Sequence, residues 1–147
     1  MDSLAELLAI EAIRRLKARY FRCVDGKDWA GFGALFTKDV RFDITADVPG
    51  AVLEGPRAIV AAASEGLTGA VSVHHGHCAE IEILSADSAR AVWAMEDRIW
   101  WQEGAAAPLA ALHGFGHYHE TYARIQGRWL IRTLKLTRLR VEHNARR

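Results

Sequence analysis

The chain has few of the features that mark specialised protein classes. Its 147 residues include only two cysteines, Cys23 and Cys78, without a CxxC spacing, which excludes a disulfide scaffold and argues against a zinc site. No apolar run is long enough to span a membrane. Acidic residues occur early in the N-terminal segment, a pattern that does not fit a signal peptide. We therefore expect a cytoplasmic protein.

The chain also lacks an excess of either charge. Nineteen lysines and arginines face eighteen acidic residues, giving a net charge of +1, so nothing favours nucleic acid or a membrane surface as a partner. Half of the residues are hydrophobic, enough to bury a substantial core. The length suits one globular domain over residues 1–147.

Two periodicities divide the chain. Ser3 and Glu6 have the spacing of a capping box, and the apolar residues that follow recur at helical intervals as far as Val24. Gly26 is a fitting C-cap, so we predict a helix over residues 4–25 with Tyr20 on its apolar stripe. From Val71 onward the hydrophobic period is two, which indicates strands.

The remaining elements follow from turn and cap signals, and together they predict an α+β fold. A strongly curved sheet with helices in its concavity would enclose a pocket. We predict a helix at 29–36 capped by Asp28, a turn at 37–39, a strand at 40–45, a loop or short hairpin at 46–55, a helix from Gly55-Pro56 to about 66–69, and strands at 71–84, 89–101, 112–125 and 128–141.

Three histidines lie close together in the first long strand, Val71 to Leu84. This density of His74, His75 and His77 indicates ligand binding or proton transfer. His74 shares its strand parity with polar positions, so an uninterrupted strand would direct it to solvent. Because Gly76 permits a bulge, we predict a bulge or sharp bend at residues 75–78 that switches the faces.

A second group, His113, His117 and His119, shares one face of a later strand. Their spacing spreads the three imidazoles over about 20 Å, too far to converge on one ion. We therefore expect no metal and no cofactor.

At this point the motifs resemble a known family. The features are Tyr20 and Asp25 in the first helix, the run from Trp29 to Asp39, Gly55-Pro56, and the final pair Gly127 and Trp129. Together they resemble the SnoaL-like branch of the NTF2-like superfamily over nearly the whole chain. The resemblance implies a cone-shaped, mostly antiparallel sheet wrapped around N-terminal helices. This fold hosts enzymes and non-enzymes, so function must be argued from the site.

The most similar chemistry is that of hexachlorocyclohexane dehydrochlorinase, bile-acid 7α-dehydratase and scytalone dehydratase. These enzymes pair a histidine on the first long strand with an aspartate at the end of the first helix. By resemblance these are His74 and Asp25. Tyr20 matches the dehydratase tyrosine, Asp97 falls at a second acid, and Arg138 falls near a final-strand arginine.

The resulting hypothesis is an elimination reaction. His74 would be the base, Asp25 would orient it, and Tyr20 with Asp97 or Arg138 would assist the leaving group. Asp97 shares its parity with apolar residues, so we expect it to be partly buried, with a raised pKa unless a cation compensates.

The expected substrate is a hydrophobic cyclic or aromatic molecule. We expect it to contact Tyr118, Phe42, Trp93 and Leu134. The resemblance implies that the face of Tyr118 points to the pocket and therefore that the later histidines lie on the outer face of the sheet. That face usually needs covering, so we also expect a homodimer or homotrimer.

Three alternatives stay open. A ketosteroid-isomerase-like enzyme is compatible with Tyr20, but its base would fall at Ile44, and the adjacent Asp43 has the opposite parity. The others are a polyketide-cyclase-like enzyme and a non-catalytic module that binds small ligands.

Overall fold

The chain forms three helices and six strands in a computed structural model that describes residues 2–146. This arrangement confirms the predicted α+β class. The elements are α1 Ser3–Asp25, α2 Trp29–Gly33, β1 Phe36–Asp43, β2 Val52–Glu54, α3 Gly55–Gly66, β3 Ala70–Ser85, β4 Ser88–Trp101, β5 Leu109–Ile125 and β6 Arg128–Ala145.

The six strands make one curved, unclosed sheet in the order β2-β1-β6-β5-β4-β3. All neighbours are antiparallel except β1 and β6. Two-residue connections join β3 to β4 and β5 to β6. In the second connection, Gln126 and Gly127 both have positive φ (50° and 77°), as a type I′ hairpin turn requires. Of the three helices in residues 2–146, none has both the length and the apolar character needed to cross a membrane.

Helix α1 supplies one wall of the core. Its N-cap is Asp2, whose Oδ1 accepts from the Ala5 N–H at 2.8 Å, so the predicted capping box at Ser3 was wrong by one residue. The apolar stripe is buried from Ala9 onward. Leu4, Leu7 and Leu8 are instead exposed, so the first turns of the helix contribute little to the core.

Two local predictions near α2 need correction. Asp28 caps α2 as predicted, with its Oδ1 accepting from Gly31 N–H at 2.9 Å, but the helix ends at Gly33 instead of residue 36. Residues 37–39 lie inside β1 and do not form a turn. The pairing of β1 with β6 shifts register between Phe36 and Arg41, so the polar residues occupy an irregular part of the strand.

A bulge in β3 switches the faces of this strand, as predicted. The register with β4 shifts between His77 and Glu80, and Cys78 has a φ of 43°. Before the bulge, Ser72 is buried; after it, Ile81 packs against the core, although the two positions differ in parity.

The predicted role of Gly76 in this bulge was wrong, because the strained residue is Cys78. Gly76 permits a close approach instead. A Cβ at this position would lie only 2.7 Å from Cε2 of Phe21, so a larger residue here would displace the Phe21 ring.

Candidate active site

A cavity of about 340 Å³ lies between the helices and the inner face of the sheet. Most of its wall is apolar, and a few polar groups converge on it. The polar lining residues are Tyr20, Asp47, His74, Asp97, Tyr118 and Arg138. A larger depression of about 660 Å³ also occurs, lined mostly by charged and polar residues such as Glu80, Arg90 and Lys135. We assign the site to the smaller cavity, because binding sites are mostly apolar with a few convergent polar groups.

His74 and Asp25 form a hydrogen-bonded pair beside this cavity. Asp25 is the last residue of α1, and its Oδ1 lies 2.6 Å from Nδ1 of His74. Its Oδ2 accepts from the His74 backbone N–H at 2.8 Å. The Ser72 hydroxyl donates to Oδ1 at 2.9 Å. Asp25 therefore connects the end of helix α1 to strand β3. Its carboxylate fixes the orientation of the imidazole because it contacts both the ring and the backbone N–H of His74.

The contact to Asp25 determines which nitrogen of His74 can react. A carboxylate accepts hydrogen bonds, so it favours the neutral tautomer that carries its proton on Nδ1. His74 lines the cavity, whereas Asp25 lies behind it. The Nε2 lone pair is then the part of the ring available to a bound molecule.

Arg138 forms a second charged cluster in the cavity. Its Nη1 donates to Asp97 Oδ1 at 2.7 Å and its Nη2 donates to Asp97 Oδ2 at 3.0 Å. The same guanidinium donates through Nε and Nη2 to the two carboxylate oxygens of Asp47, each at 2.9 Å. Burial lowers the pKa of Arg138, but hydrogen bonds to Asp47 and Asp97 outweigh that effect and raise it above its ordinary value. This arginine is the compensating cation anticipated for a buried Asp97.

Two buried tyrosines complete the polar lining. Tyr20 on α1 and Tyr118 on β5 pack at 6.1 Å between ring centroids. Burial, followed by the charge of Glu120, raises the pKa of Tyr20 above its ordinary range. Burial likewise raises the pKa of Tyr118. Both phenols are therefore protonated near neutral pH and can donate hydrogen bonds to a ligand.

A buried ion pair supports the tyrosines from behind. Lys17 and Glu120 are in direct contact, and both side chains are fully buried. The Lys17 Nζ lies 3.7 Å from the ring centroid of Tyr20 and 3.9 Å from that of Tyr118, so two aromatic faces stabilise its charge. Tyr122 donates its hydroxyl proton to Glu120. Burial lowers the pKa of Lys17, while Glu120 opposes that shift.

The structure brings most of the predicted site residues together. Tyr20, His74, Asp97, Arg138, Tyr118 and Phe42 line the cavity, and Asp25 contacts His74.

Two predicted substrate contacts do not line it. Trp93 donates its indole N–H to the Tyr122 hydroxyl at 2.9 Å, and Leu134 belongs to the closed core. Each lies four residues before a cavity residue of its own strand, Asp97 or Arg138. Strand parity therefore identified the inward face correctly but could not show how far along it the cavity extends.

Three residues of the site region were not predicted. Ser72 lies two residues before His74, on the same face, so parity could have indicated it. Lys17 falls on the buried stripe of α1, where a lone lysine signals a buried partner. Asp47 lies in the loop after β1, and no sequence pattern placed it beside Arg138.

The other strand histidines lie away from the cavity. His75 and His77 are exposed, on the opposite face of β3 from His74. His113, His117 and His119 alternate with the buried Gly114, Gly116, Tyr118 and Glu120, which places them on the outer face as expected. His113 does have a partner there, since its Nε2 lies 2.7 Å from Oε1 of Glu96.

Comparison with known proteins gives concordant results. A candidate scytalone dehydratase from Novosphingobium aromaticivorans superimposes with a TM-score of 0.86 at 18% identity, over 99% of this chain and 94% of that one. A type 2 hexachlorocyclohexane dehydrochlorinase (LinA) gives a TM-score of 0.82 at 18% identity, over 98% and 94% of the two chains. These similarities demonstrate a shared fold.

Sequence comparison assigns the family. The chain is 25% identical over 142 residues to the protein named probable cyclase FGR4 of Gibberella zeae, covering 89% of this chain and 91% of the relative. The family model for the SnoaL-like domain matches residues 5–135, which include Tyr20, Asp25, His74 and Asp97. The protein belongs to the SnoaL-like domain family.

Proposed function

We propose that this protein is a cofactor-independent lyase of the dehydratase type, acting on a small hydrophobic cyclic molecule. One observation carries the proposal: an imidazole fixed by a carboxylate lines an apolar cavity that also holds an arginine and two protonated phenols. A module that only binds ligands has no need of a histidine whose tautomer is fixed by an aspartate.

His74 would be the base in this reaction. Its Nε2 takes a proton from a substrate carbon, and the electrons of that C–H bond form the new double bond. The bond to the leaving group breaks, and that group departs with its electron pair. Asp25 stabilises the imidazolium that forms on His74, as the carboxylate does in hydrolase triads. A general base of this kind contributes roughly 10²–10⁴ in rate.

The leaving group needs a donor or an anion clamp. Tyr20 and Tyr118 supply buried hydroxyl donors, whereas the N–H groups of Arg138 are committed to Asp47 and Asp97, so Arg138 orders the polar wall of the cavity. A departing hydroxide would accept hydrogen bonds from these phenols, take the proton that His74 removed from the substrate carbon, and leave as water, which restores the neutral imidazole. A departing halide would need only the hydrogen bonds. Asp97 holds Arg138 by two hydrogen bonds, so we assign it to positioning and not to proton transfer.

The size and lining of the cavity support the proposed substrate class. A volume of about 340 Å³ lies at the lower end of the range for small-molecule sites, and its aromatic walls suit one or two rings. Two of the similar proteins are named as a dehydratase and a dehydrochlorinase, and both names describe elimination reactions.

A cyclase is the second candidate, because the protein named probable cyclase FGR4 is similar over almost the whole chain. The same base could remove a proton beside a carbonyl, with the phenols holding the enolate oxygen. Ketosteroid-isomerase chemistry has less support. Ile44 lines the cavity where that base would lie, and the Asp43 carboxylate instead accepts from the Thr45 N–H and hydroxyl at 3.0 and 2.6 Å.

A substrate panel tests the proposal. Cyclic compounds with a hydroxyl or halide β to an acidic C–H would be incubated with the protein, and the new double bond followed by ultraviolet absorbance. We expect turnover that His74→Gln reduces by about 10²–10⁴. His119→Gln, on the outer face of the sheet, is the matched control and should keep wild-type turnover. Full activity in the His74 variant would contradict the proposal, and saturable binding without turnover would favour a non-catalytic module.

A further inference from the structure

A cluster of metal-ligating side chains lies on the outer face of the sheet, away from the cavity. His75 and His77 are two residues apart on β3 and therefore point the same way. Glu96 on β4 is the direct cross-strand partner of His75. One ligand atom from each of the three residues lies within 4.8 Å of the others.

The carboxylate of this cluster is already oriented. The Nε2 of His113 on β5, the strand on the other side of β4 from β3, lies 2.7 Å from Oε1 of Glu96 and restricts the position of that carboxylate. Metal-binding carboxylates typically have such an outer partner, which fixes their geometry.

The donor set indicates the kind of ion. Two imidazoles and one carboxylate are the ligands of many zinc sites that keep a fourth position open. Calcium and magnesium prefer oxygen ligands alone, so they suit this cluster poorly. Zinc–ligand bonds of about 2.0–2.1 Å put tetrahedral ligand atoms roughly 3.3 Å apart. Because His75 and His77 are exposed, small side-chain rotations can close the remaining gap.

We propose that His75, His77 and Glu96 form a Zn²⁺ site on the outer face of the sheet, with His113 positioning Glu96. The spacing of histidines along one strand does not by itself supply this set of ligands. The set arises from the cross-strand pairing of β3 with β4, which puts Glu96 opposite His75. The site is independent of the proposed lyase activity, because His74 points to the other face of the same strand.

Bound zinc would link the edge strand β3 to the neighbouring strand β4. Strand β3 is an outermost strand, and His77 directly precedes the bulge at Cys78. An ion held by β3 and β4 would therefore resist the separation of these strands. Since zinc would bind the folded chain, a free concentration 100 times the Kd raises the folding equilibrium constant about 100-fold.

The test uses the full-length, metal-free protein with any affinity tag removed, titrated with ZnCl₂ by isothermal calorimetry. We expect one Zn²⁺ per chain and a zinc-dependent rise in Tm. His75→Gln and His77→Gln should each abolish saturable binding, and His113→Gln should weaken it by about 10–100-fold.

His119→Gln is the matched control, because His119 lies on the same outer face but bonds to Thr137 at 3.0 Å. It should bind zinc like the wild type. Circular dichroism of each metal-free variant checks that it is folded. Failure of the wild type to bind zinc saturably, or unchanged affinity in His75→Gln and His77→Gln, would overturn the proposal without bearing on the lyase activity.

Discussion

Raising the pH should leave every tyrosine of the folded protein un-ionised well beyond the ordinary phenol pKa of about 10. The chain has three tyrosines, Tyr20, Tyr118 and Tyr122, and their exposed fractions are only 4%, 3% and 2%. Burial is the largest cause that raises each pKa, followed by the negative charge of Glu120 for Tyr20 and Tyr122. The protonated phenols invoked for the site are thus directly observable.

The sign and size of the stability change follow from linkage. Above pH 10 the unfolded chain loses phenol protons that the folded chain retains, so the free energy of unfolding falls as pH rises. Each tyrosine contributes a slope of about 1.4 kcal/mol per pH unit, and three contribute roughly 4. Burial lowers the pKa of Lys17, so the free energy of unfolding gains a contribution from this residue that rises with pH. That contribution stops rising at about pH 10.4, where the lysine of the unfolded chain also deprotonates. Above about pH 10.4, Lys17 no longer opposes the fall in the free energy of unfolding that the tyrosines cause.

Absorbance of tyrosinate, recorded together with far-ultraviolet circular dichroism, measures this behaviour. We expect no tyrosinate while the native signal persists, and then joint ionisation of all three residues as the chain unfolds. The same titration in guanidinium chloride should give three independent phenols with a midpoint of about 10. A tyrosine that ionises near pH 10 in the native protein would refute the buried, protonated phenols.

Three substitutions probe other parts of the structure. Lys17→Met and Glu120→Gln should each lower the free energy of unfolding by about 3–5 kcal/mol in urea titrations, because each leaves a buried charge unpaired; the double variant should lose clearly less than the sum. Gly114→Ala would place a Cβ 2.3 Å from Nη1 of Arg138 and 2.4 Å from Oδ1 of Asp97, and we expect turnover to fall by about 10–100-fold in a folded protein. Additive losses in the cycle, or wild-type turnover in Gly114→Ala, would contradict these assignments.

Periodicity predicted the order of the elements because each element presents one apolar face. The helix that ends at Asp25 and the four long strands follow directly from spacings of about four and two. Parity also placed Asp97 on the inward face, whereas the inward face of Tyr118 was implied by the family resemblance. The bulge in β3 could be predicted because His74 shares its parity with polar positions, so an uninterrupted strand would have turned this histidine to solvent, whereas the family resemblance implies that it faces the pocket.

The remaining features depend on distances between segments that are remote in sequence. Strand parity predicts which face of the sheet a side chain occupies, but not how far along the strand the cavity extends. Trp93 and Leu134 were therefore predicted to line the cavity, although they lie in the closed core. Asp47 reaches Arg138 only through the path of a loop. The pairing of Lys17 with Glu120 joins residues 103 positions apart. Such contacts require the register of the sheet, which the sequence pattern does not specify.

The position of the proton on the His74 ring decides whether Asp25 orients this histidine as a base. Nitrogen-15 NMR of histidine-labelled protein, assigned with His74→Gln, reports which ring nitrogen carries the proton in the neutral imidazole. We expect a proton on Nδ1 and a free lone pair on Nε2 in the wild type, with that preference lost in Asp25→Asn. A neutral His74 protonated on Nε2 in the wild type would contradict the assignment of His74 as a base oriented by Asp25.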